Sequence, residues 1–283
     1  MDRKEESRLL DRLIRLLLDE MPGYQRLAVP KDLDGKKVLF RSLCNIRPPE
    51  KVSREFSELE AVYLDEELEK KGIADVAAFL PEPRLNGEDY ALYLWKGDIT
   101  TLKVDCIVNA ANSQMTGCYV PCHRCIDNAI HSAAGVALRL ECAKLMEIEN
   151  EGHEEPVGKA KITGGYHLPC RRVIHTVGPY IFGEVTERDR KMLADCYRSC
   201  LELADKNGME SIAFCCISTG EFHFPAEEAA EIAVRTVENT AGRLKTAKKI
   251  IFNVFSERDY AIYRQVLDRR RSLACRGGVG DNE

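Results

Sequence analysis

The sequence has a single tryptophan, and no apolar run approaches the roughly 18 residues that a membrane span requires. It also lacks an excess of positive charge: 41 lysines and arginines face 46 aspartates and glutamates, a net charge of −5. That balance argues against a protein built to grip a nucleic-acid backbone. It leaves room for a small anionic ligand held by backbone amides at a helix N-terminus. The start, MDRKEESRLLDRLIRLLLDE, mixes acids with bases and has no small-residue cleavage site, so it does not read as a signal peptide. Internal repeats and low-complexity tracts are missing too. Twelve cysteines without a leader point to a reducing compartment where thiols stay free or bind metal, and a cytoplasmic location is expected.

What is present divides into two parts. Leu9, Leu10, Leu13, Ile14, Leu17 and Leu18 recur at helical spacing and predict an amphipathic helix over residues 6–20, ended by Pro22-Gly23. A second helix is predicted over residues 53–71, with Phe56, Leu59, Val62, Tyr63 and Leu68 on one face. A short element over 73–80 stops at Pro81, and the breaker-rich stretch PEPRLNGED reads as a linker. Residues 1–87 are therefore expected to be a helical N-terminal extension packed on the main domain. From residue 88 the pattern becomes strand and helix in alternation. YALYLW, CIVNAA, VIHTV, SIAFCCIS and KIIFNVF are the strands, and helices are predicted over 126–146, 188–206, 225–240 and 258–269. Near-continuous apolar strands between helices imply a sheet buried on both faces, in an α/β layered domain over residues 88–270. Residues 271–283 are expected to be a flexible tail.

In such folds ligands sit beyond the carboxyl ends of the strands, so the residues after each strand are the candidates. After YALYLW comes KGDIT, in which Asp98 is either a turn cap or an acceptor for an exocyclic amine such as that of adenine. After CIVNAA come Asn112, the stretch SQMTGCYVP and Cys122-His123-Arg124-Cys125, and Ile126-Asp127-Asn128 then opens a helix. Cys118, His123 and Cys125 offer thiolate and imidazole ligands to one zinc ion, with a fourth position left for water or substrate. Spacing alone leaves other readings open. Cys122 can replace a ligand or close a structural site, CHRC can act as a dithiol redox pair, or the cysteines can be inert core residues. A haem attachment is disfavoured, because Ile126 rather than a histidine follows Cys125. Asp127 and His131 share a helix face, where the first serves equally as a first-turn cap and the second as a buried histidine. After SIAFCCI, Ser218-Thr219-Gly220-Glu221-Phe222-His223-Phe224 leads into Pro225 and a helix, which makes an anion cradle. Phe222 or Phe224 is there a stacking face or a core plug. Phe255, after KIIFNV, either covers an adenine ring or packs in the core.

KGDIT, IVNAANS, IDNAIH, GKAKITGGYHLP, VIHTVGP and STGEFHFP occur in that order over about residues 90–265. Together they resemble the macrodomain, the ADP-ribose-binding fold, which implies a three-layer α/β/α architecture with a mixed central sheet. The chain departs from ordinary macrodomains where they carry a glycine-rich phosphate loop after the NAAN element; here GCYVPCHRC takes its place. That loop, with GEFHFP later and the leading helical segment, is similar to the zinc-dependent protein-ADP-ribose hydrolases of microbial, sirtuin-linked ADP-ribosylation systems. In that subgroup a Cys, a His and a Cys of the loop ligate zinc, and the matching positions are Cys118, His123 and Cys125. The resemblance further implies that Asp98 and Ile99 contact adenine, with Phe255 against its ring. It places Ser218, Thr219, Gly220, Glu221 and Phe222 around the diphosphate, and Asn112 and Asp127 at the distal ribose as the catalytic pair.

The expected activity is zinc-dependent removal of mono-ADP-ribose from Asp/Glu-type protein side chains. Zinc would activate a ribose hydroxyl or a water, and Asp127 would orient that water or take its proton. The alternatives are a non-catalytic ADP-ribose reader and a hydrolase of small esters such as O-acetyl-ADP-ribose. The resemblance implies a modified-protein substrate, a lipoyl-carrier protein acted on by a sirtuin-type ADP-ribosyltransferase. No nucleic-acid or membrane partner is expected, and the chain is expected to be a monomer.

Overall fold

The computed structural model describes residues 1–79, 83–87 and 89–277. Helix α1 (Arg3–Glu20) begins in a capping box, in which the Asp2 carboxylate accepts from the Lys4 and Glu5 amides and Glu5 returns to the Asp2 amide. Leu10, Leu13, Ile14, Leu17 and Leu18 are buried, as their spacing requires. The next helix, α2 (Leu33–Ile46), has no counterpart in the sequence expectation. Its buried face alternates Phe40 and Leu43 with two polar residues, Lys36 and Asn45, which hide the apolar period. Lys36 is satisfied there by Ser7 Oγ at 2.7 Å and Asp11 Oδ2 at 2.8 Å. Helix α3 (Arg54–Lys71) starts at Ser53, whose side chain accepts from the Phe56 amide. It buries Phe56, Glu60, Tyr63 and Leu64, whereas Val62, expected on that face, points outward. These helices share one apolar core, with the Phe40 and Tyr63 rings edge-to-face at 5.1 Å.

The element expected over 73–80 is a two-residue strand, β1 (Ala74–Asp75), followed by the single-turn helix α4 (Val76–Phe79), and residue 80 lies outside the described residues. Within the expected linker, residues 81, 82 and 88 also lie outside them, but Leu85 and Asn86 form strand β2 (Leu85–Asn86). Strands β3 (Ala91–Lys96), β4 (Leu102–Lys103) and β5 (Cys106–Ala111) follow. Next comes α5 (Ile126–Ala134), which is separated from α6 (Val136–Asn150) by Gly135 at φ 88°. The single helix expected over 126–146 is thus two, because the chain bends around Glu60 and Leu64 of α3. Their side chains lie 3.1 Å from where a Cβ on residue 135 would stand. Strands β6 (Ala160–Gly164) and β7 (Arg172–Val177), helix α7 (Glu187–Lys206), β8 (Ser211–Phe214), α8 (Ala226–Ala241), β9 (Lys249–Val254) and α9 (Glu257–Gly277) complete the chain. Helix α9 passes the expected end at 269 because Arg269 and Arg270 pair with Glu231 and Glu238 of α8. Residues 271–277 of the expected tail are therefore helical, and residues 278–283 lie outside the described residues.

Among the described residues seven strands form one sheet, in the order β2-β3-β9-β8-β5-β7-β6, while β1 pairs with β4 apart from it. The interior pairs are parallel and the two edge pairs antiparallel, so the sheet is mixed. Runs of consecutive buried residues in β5, β7 and β9 show that helices cover both faces, the α/β/α layering expected. Because β3, β5, β7, β8 and β9 all point one way, Asp98, Asn112, Gly178, the 215–224 loop and Phe255 follow the same sheet edge. Among the described residues no helix is long and apolar enough to cross a membrane.

Candidate active site

The floor of the site is a buried polar chain under that edge. Asn109 of β5 is fully buried; its Nδ2 donates to Asp127 Oδ1 at 2.8 Å and lies 3.1 Å from His175 Nδ1. His175 Nε2 lies 2.8 Å from Thr163 Oγ1, so Nε2 carries the ring proton and Nδ1 accepts. Burial pushes this imidazole down to about 4, and it stays neutral. Asp127 occupies the first turn of α5 with 5% of its surface exposed. Burial pushes its carboxyl up to about 6, against the Asn109 hydrogen bond. The carboxylate faces inward, toward β5, and Asn112 lies over it: Asn112 Nδ2 donates to the Gly117 carbonyl at 3.0 Å and to Asp127 Oδ2 at 3.4 Å. His131, one turn further along α5, has its Nε2 3.5 Å from Asp127 Oδ1, yet neither ring nitrogen makes an aligned hydrogen bond. Its ring packs under Gly117, where a Cβ would meet it at 2.7 Å.

Above this floor runs the loop over 117–125. It folds so that ligand atoms of Cys118, His123 and Cys125 all lie within 4.8 Å of one another. Cys118 Sγ is 3.6 Å from His123 Nδ1, and His123 Nε2 is 3.6 Å from Glu221 Oε1, which reaches across from the opposite loop. Cys125 caps α5, its Sγ accepting from the Asn128 amide at 3.4 Å. Two thiols and an imidazole at this separation form a donor set suited to zinc, and a carboxylate behind the histidine is the usual partner of a ligating imidazole. The residues present fit the ion. Cys122 turns away: its Sγ lies 3.3 Å from Ser42 Oγ and 3.6 Å from the Val38 carbonyl, both on α2. It stands with the N-terminal extension, apart from the three converging ligands.

The opposite wall is the loop after β8. Ser218 has φ 65°, and the Phe224 amide donates back to the Ser218 carbonyl at 2.9 Å, so the chain winds into a tight turn. Ser218 Oγ is buried without a hydrogen-bond partner, and Gly178 packs against it so closely that a Cβ would stand 2.0 Å away. An orphaned hydroxyl in a turn before a helix is a site where an anion completes the hydrogen bonding. Thr219, Gly220 and Glu221 lie along the open side of that turn, and Phe222 is half-buried near Tyr180, with ring centroids 5.5 Å apart. Phe224 is 2% exposed and belongs to the core, whereas Phe222 packs against the small apolar cluster of Ala111, Met115, Met146 and Val177.

At the far end Asp98 Oδ1 accepts from the Thr100 amide and hydroxyl, and its Oδ2 accepts from Lys71 Nζ of α3 at 3.0 Å. Hydrogen bonds from Thr100 and the Lys71 ammonium outweigh burial and hold this carboxyl below its ordinary value. Ile99 is buried beside it, and Phe255 is 80% exposed. Gly97, Asp98, Ile99, Asn253 and Phe255 open into a cavity of about 460 Å³ that continues between the extension and α5.

Sequence reasoning did not find the residues that join these walls to the extension. Arg41 and Asn45 sit on the unrecognised helix α2, and Lys71 stands in the last turn of α3. Arg139 carried a faint signal, a charge on the inward stripe of a predicted helix. It is 5% exposed and donates to the carbonyls of Cys44, Asn45, Arg47 and Cys118, with its guanidinium 4.2 Å over the Tyr119 ring.

The chain is similar to known proteins over most of its length. The Macro domain family model matches residues 108–233. A protein-ADP-ribose hydrolase from Treponema medium is 54% identical over 255 residues, covering 90% of this chain and 96% of the relative. One from Staphylococcus aureus (strain MSSA476) is 43% identical over 267 residues, covering 94% of this chain and 97% of the relative. Among solved structures, a mutant of the Oceanobacillus iheyensis macrodomain with ADPR matches with a TM-score of 0.62 and 38% identity, covering 66% of this chain and 97% of that one.

Proposed function

Since the chain belongs to the macrodomain family and is a hydrolase of the protein-ADP-ribose type, we propose that it releases mono-ADP-ribose from Asp/Glu-type side chains with the help of a zinc ion held by Cys118, His123 and Cys125. The observation that carries this reading is the convergence of those three ligand atoms within 4.8 Å, beside Asn112 and backed by Glu221. A zinc ion held by Cys118, His123 and Cys125 would supply Lewis-acid activation of a neighbouring hydroxyl.

The chain's own residues do the rest. The turn over 218–222 binds the diphosphate, and the Ser218 hydroxyl finds there the partner that the protein alone does not give it. Asp98 and Ile99 take the adenine edge, and Phe255 supplies a face for the ring. Fixing the nucleotide at points remote from the scissile bond holds the distal ribose in register, which is how binding far from the chemistry contributes to rate. Asn112 contacts that ribose. Asp127, turned inward, sets the Asn112 amide through Oδ2; burial raises its carboxyl to about 6, so at neutral pH it is mostly ionised and able to take a proton. The modified protein we assign by the loop's resemblance is a lipoyl-carrier protein, and its modifying enzyme a sirtuin-type ADP-ribosyltransferase.

Metal analysis and turnover on an ADP-ribosylated protein test the proposal together. One zinc per wild-type chain is expected. Cys118→Ala, His123→Ala and Cys125→Ala should lose zinc and at least 99% of hydrolysis, while calorimetry shows ADP-ribose affinity within about tenfold of wild type. Retained turnover in a variant verified to hold no zinc would sink the zinc reading.

A further inference from the structure

We propose that the N-terminal extension is part of the site: Asn45 and Arg41 of α2 are positioning residues that hold the 117–125 loop in the shape that brings Cys118, His123 and Cys125 together. The proposal rests on the zinc reading for its consequence, though not for its geometry.

The loop reverses direction at Cys122, a non-glycine residue at φ 51°. Left-handed backbone in such a residue persists only where surrounding contacts hold it. Those contacts come from α2. Asn45 Oδ1 accepts from the Cys122 amide at 2.9 Å, and the Cys122 thiol lies against Ser42 Oγ and the Val38 carbonyl. Asn45 is itself 2% exposed, and its Nδ2 donates to Ser132 Oγ at 3.1 Å, so its amide has one orientation.

The grip extends to the next residues. Arg41 donates through Nη2 to the His123 carbonyl at 3.4 Å, and through Nε and Nη2 to Asn128 Oδ1 at 3.2 and 2.7 Å. Asn128 in turn gives its backbone amide to Cys125 Sγ and its Nδ2 to the Val120 carbonyl at 3.0 Å. The turn at residue 122, the backbone at 123 and the Cys125 thiol are thus each one or two hydrogen bonds from α2. The loop's internal support on this side is the His123 amide to the Val120 carbonyl at 3.2 Å. Among the described residues, the contacts made by the left-handed residue's own amide and thiol go to α2.

Outer groups that orient metal ligands are commonly worth 10- to 100-fold in metal affinity. Asn45→Ala and Arg41→Ala should therefore weaken zinc binding by roughly 10- to 100-fold in competition with a chromophoric chelator. ADP-ribose affinity should stay within threefold of wild type, and kcat should return at saturating zinc. Asn45→Asp keeps the acceptor for the Cys122 amide and should restore zinc affinity to near wild type. Arg12→Ala removes an exposed ion pair between α1 and α3 and serves as a control expected to change nothing. In zinc-free protein, amide exchange over 117–125 should quicken about tenfold in both alanine variants and not in the control. If Asn45→Ala does not fold, Arg41→Ala, whose side chain is half-exposed, decides alone. Wild-type zinc affinity together with wild-type loop exchange in the alanine variants overturns the proposal. A wild-type chain that binds no zinc overturns the zinc reading instead, and the exchange rates still decide whether α2 holds the loop.

Discussion

Arg139→Met is the substitution whose cost can be worked most fully from the structure. Arg139 is 5% exposed and sits at the carboxyl end of α2, where it donates to the carbonyls of Cys44, Asn45 and Arg47, and to that of Cys118 in the loop. The last carbonyls of a helix have no partners within it, and its negative end favours a cation there. Hydrogen bonds involving a charged group contribute about 1.5–3 kcal/mol each, and a buried carbonyl left unmade costs about 1–3 kcal/mol. Four carbonyls are affected, but two of the contacts are long, at 3.3 Å, and methionine recovers the desolvation of a buried cation, which is several kcal/mol. The expected net loss is about 3 kcal/mol, a fall in melting temperature of roughly 6–12 °C for a chain of this size. Arg139→Lys keeps the charge and loses the planar fork, so it should lie between the two. Thermal and urea unfolding measure both. A melting temperature for Arg139→Met within 2 °C of wild type would refute the reasoning, because the helix end would then be satisfied without the guanidinium.

Gly178→Ala places a Cβ 2.0 Å from Ser218 Oγ and should push the diphosphate turn out of shape. Calorimetry should show ADP-ribose affinity down at least tenfold, and an unchanged affinity would remove Ser218 from the site. Stability should fall with acid through the imidazole of His175. The unfolded ring takes a proton near its ordinary value of about 6.5, while the native ring, neutral by burial, takes one only at about 4, so the contribution present above pH 6.5 is lost as pH falls toward 4, by roughly 3 kcal/mol. Buried Glu60 and Asp127, held up to about 7 and about 6, tilt the curve the other way, so the quantity to measure is wild type minus His175→Gln. That difference should shrink steadily from pH 6.5 to 4, and a flat difference would mean that His175 is charged in the native state.

The parts of this molecule that were legible beforehand are those where one physical signal dominates. Strand β5 ran as expected over CIVNAA, and α1 buried the leucines that its spacing named, because apolar period and burial coincide there. The residues after the strands gather at one edge for a related reason: a sheet of mainly parallel strands brings their carboxyl ends together, whatever the loops do. The missed helix α2 and the missed residues at its contact with the main domain share one cause. Lys36 and Asn45 on α2, Glu60 on α3 and Arg139 on α6 are polar, buried and satisfied by partners from a distant stretch of chain. A polar residue on an inward face erases the period that reveals a helix, and its partner is not visible in the local sequence.

Three of those residues, Asn45, Glu60 and Arg139, mark the seam between the extension and the macrodomain. Glu60 accepts from the Val136 amide at the start of α6 at 3.1 Å, Arg139 from that same helix closes the end of α2, and Asn45 of α2 holds the turn of the cysteine loop. An extension that merely covered an apolar patch would need only side chains of the right size and shape. Buried polar pairs cost desolvation and tolerate one geometry, so a seam built from them fixes orientation more than it adds stability. The element whose orientation is fixed is the loop that carries Cys118, His123 and Cys125. If the seam existed only for stability, apolar replacement of Asn45 together with its partner Ser132 would be tolerated without loss of hydrolysis. Asn45→Leu combined with Ser132→Ala should instead give a folded protein, within about 5 °C of wild type in melting temperature, whose turnover at zinc held well below saturation falls at least tenfold. A double variant that folds and hydrolyses at the wild-type rate would reduce the extension to a cover.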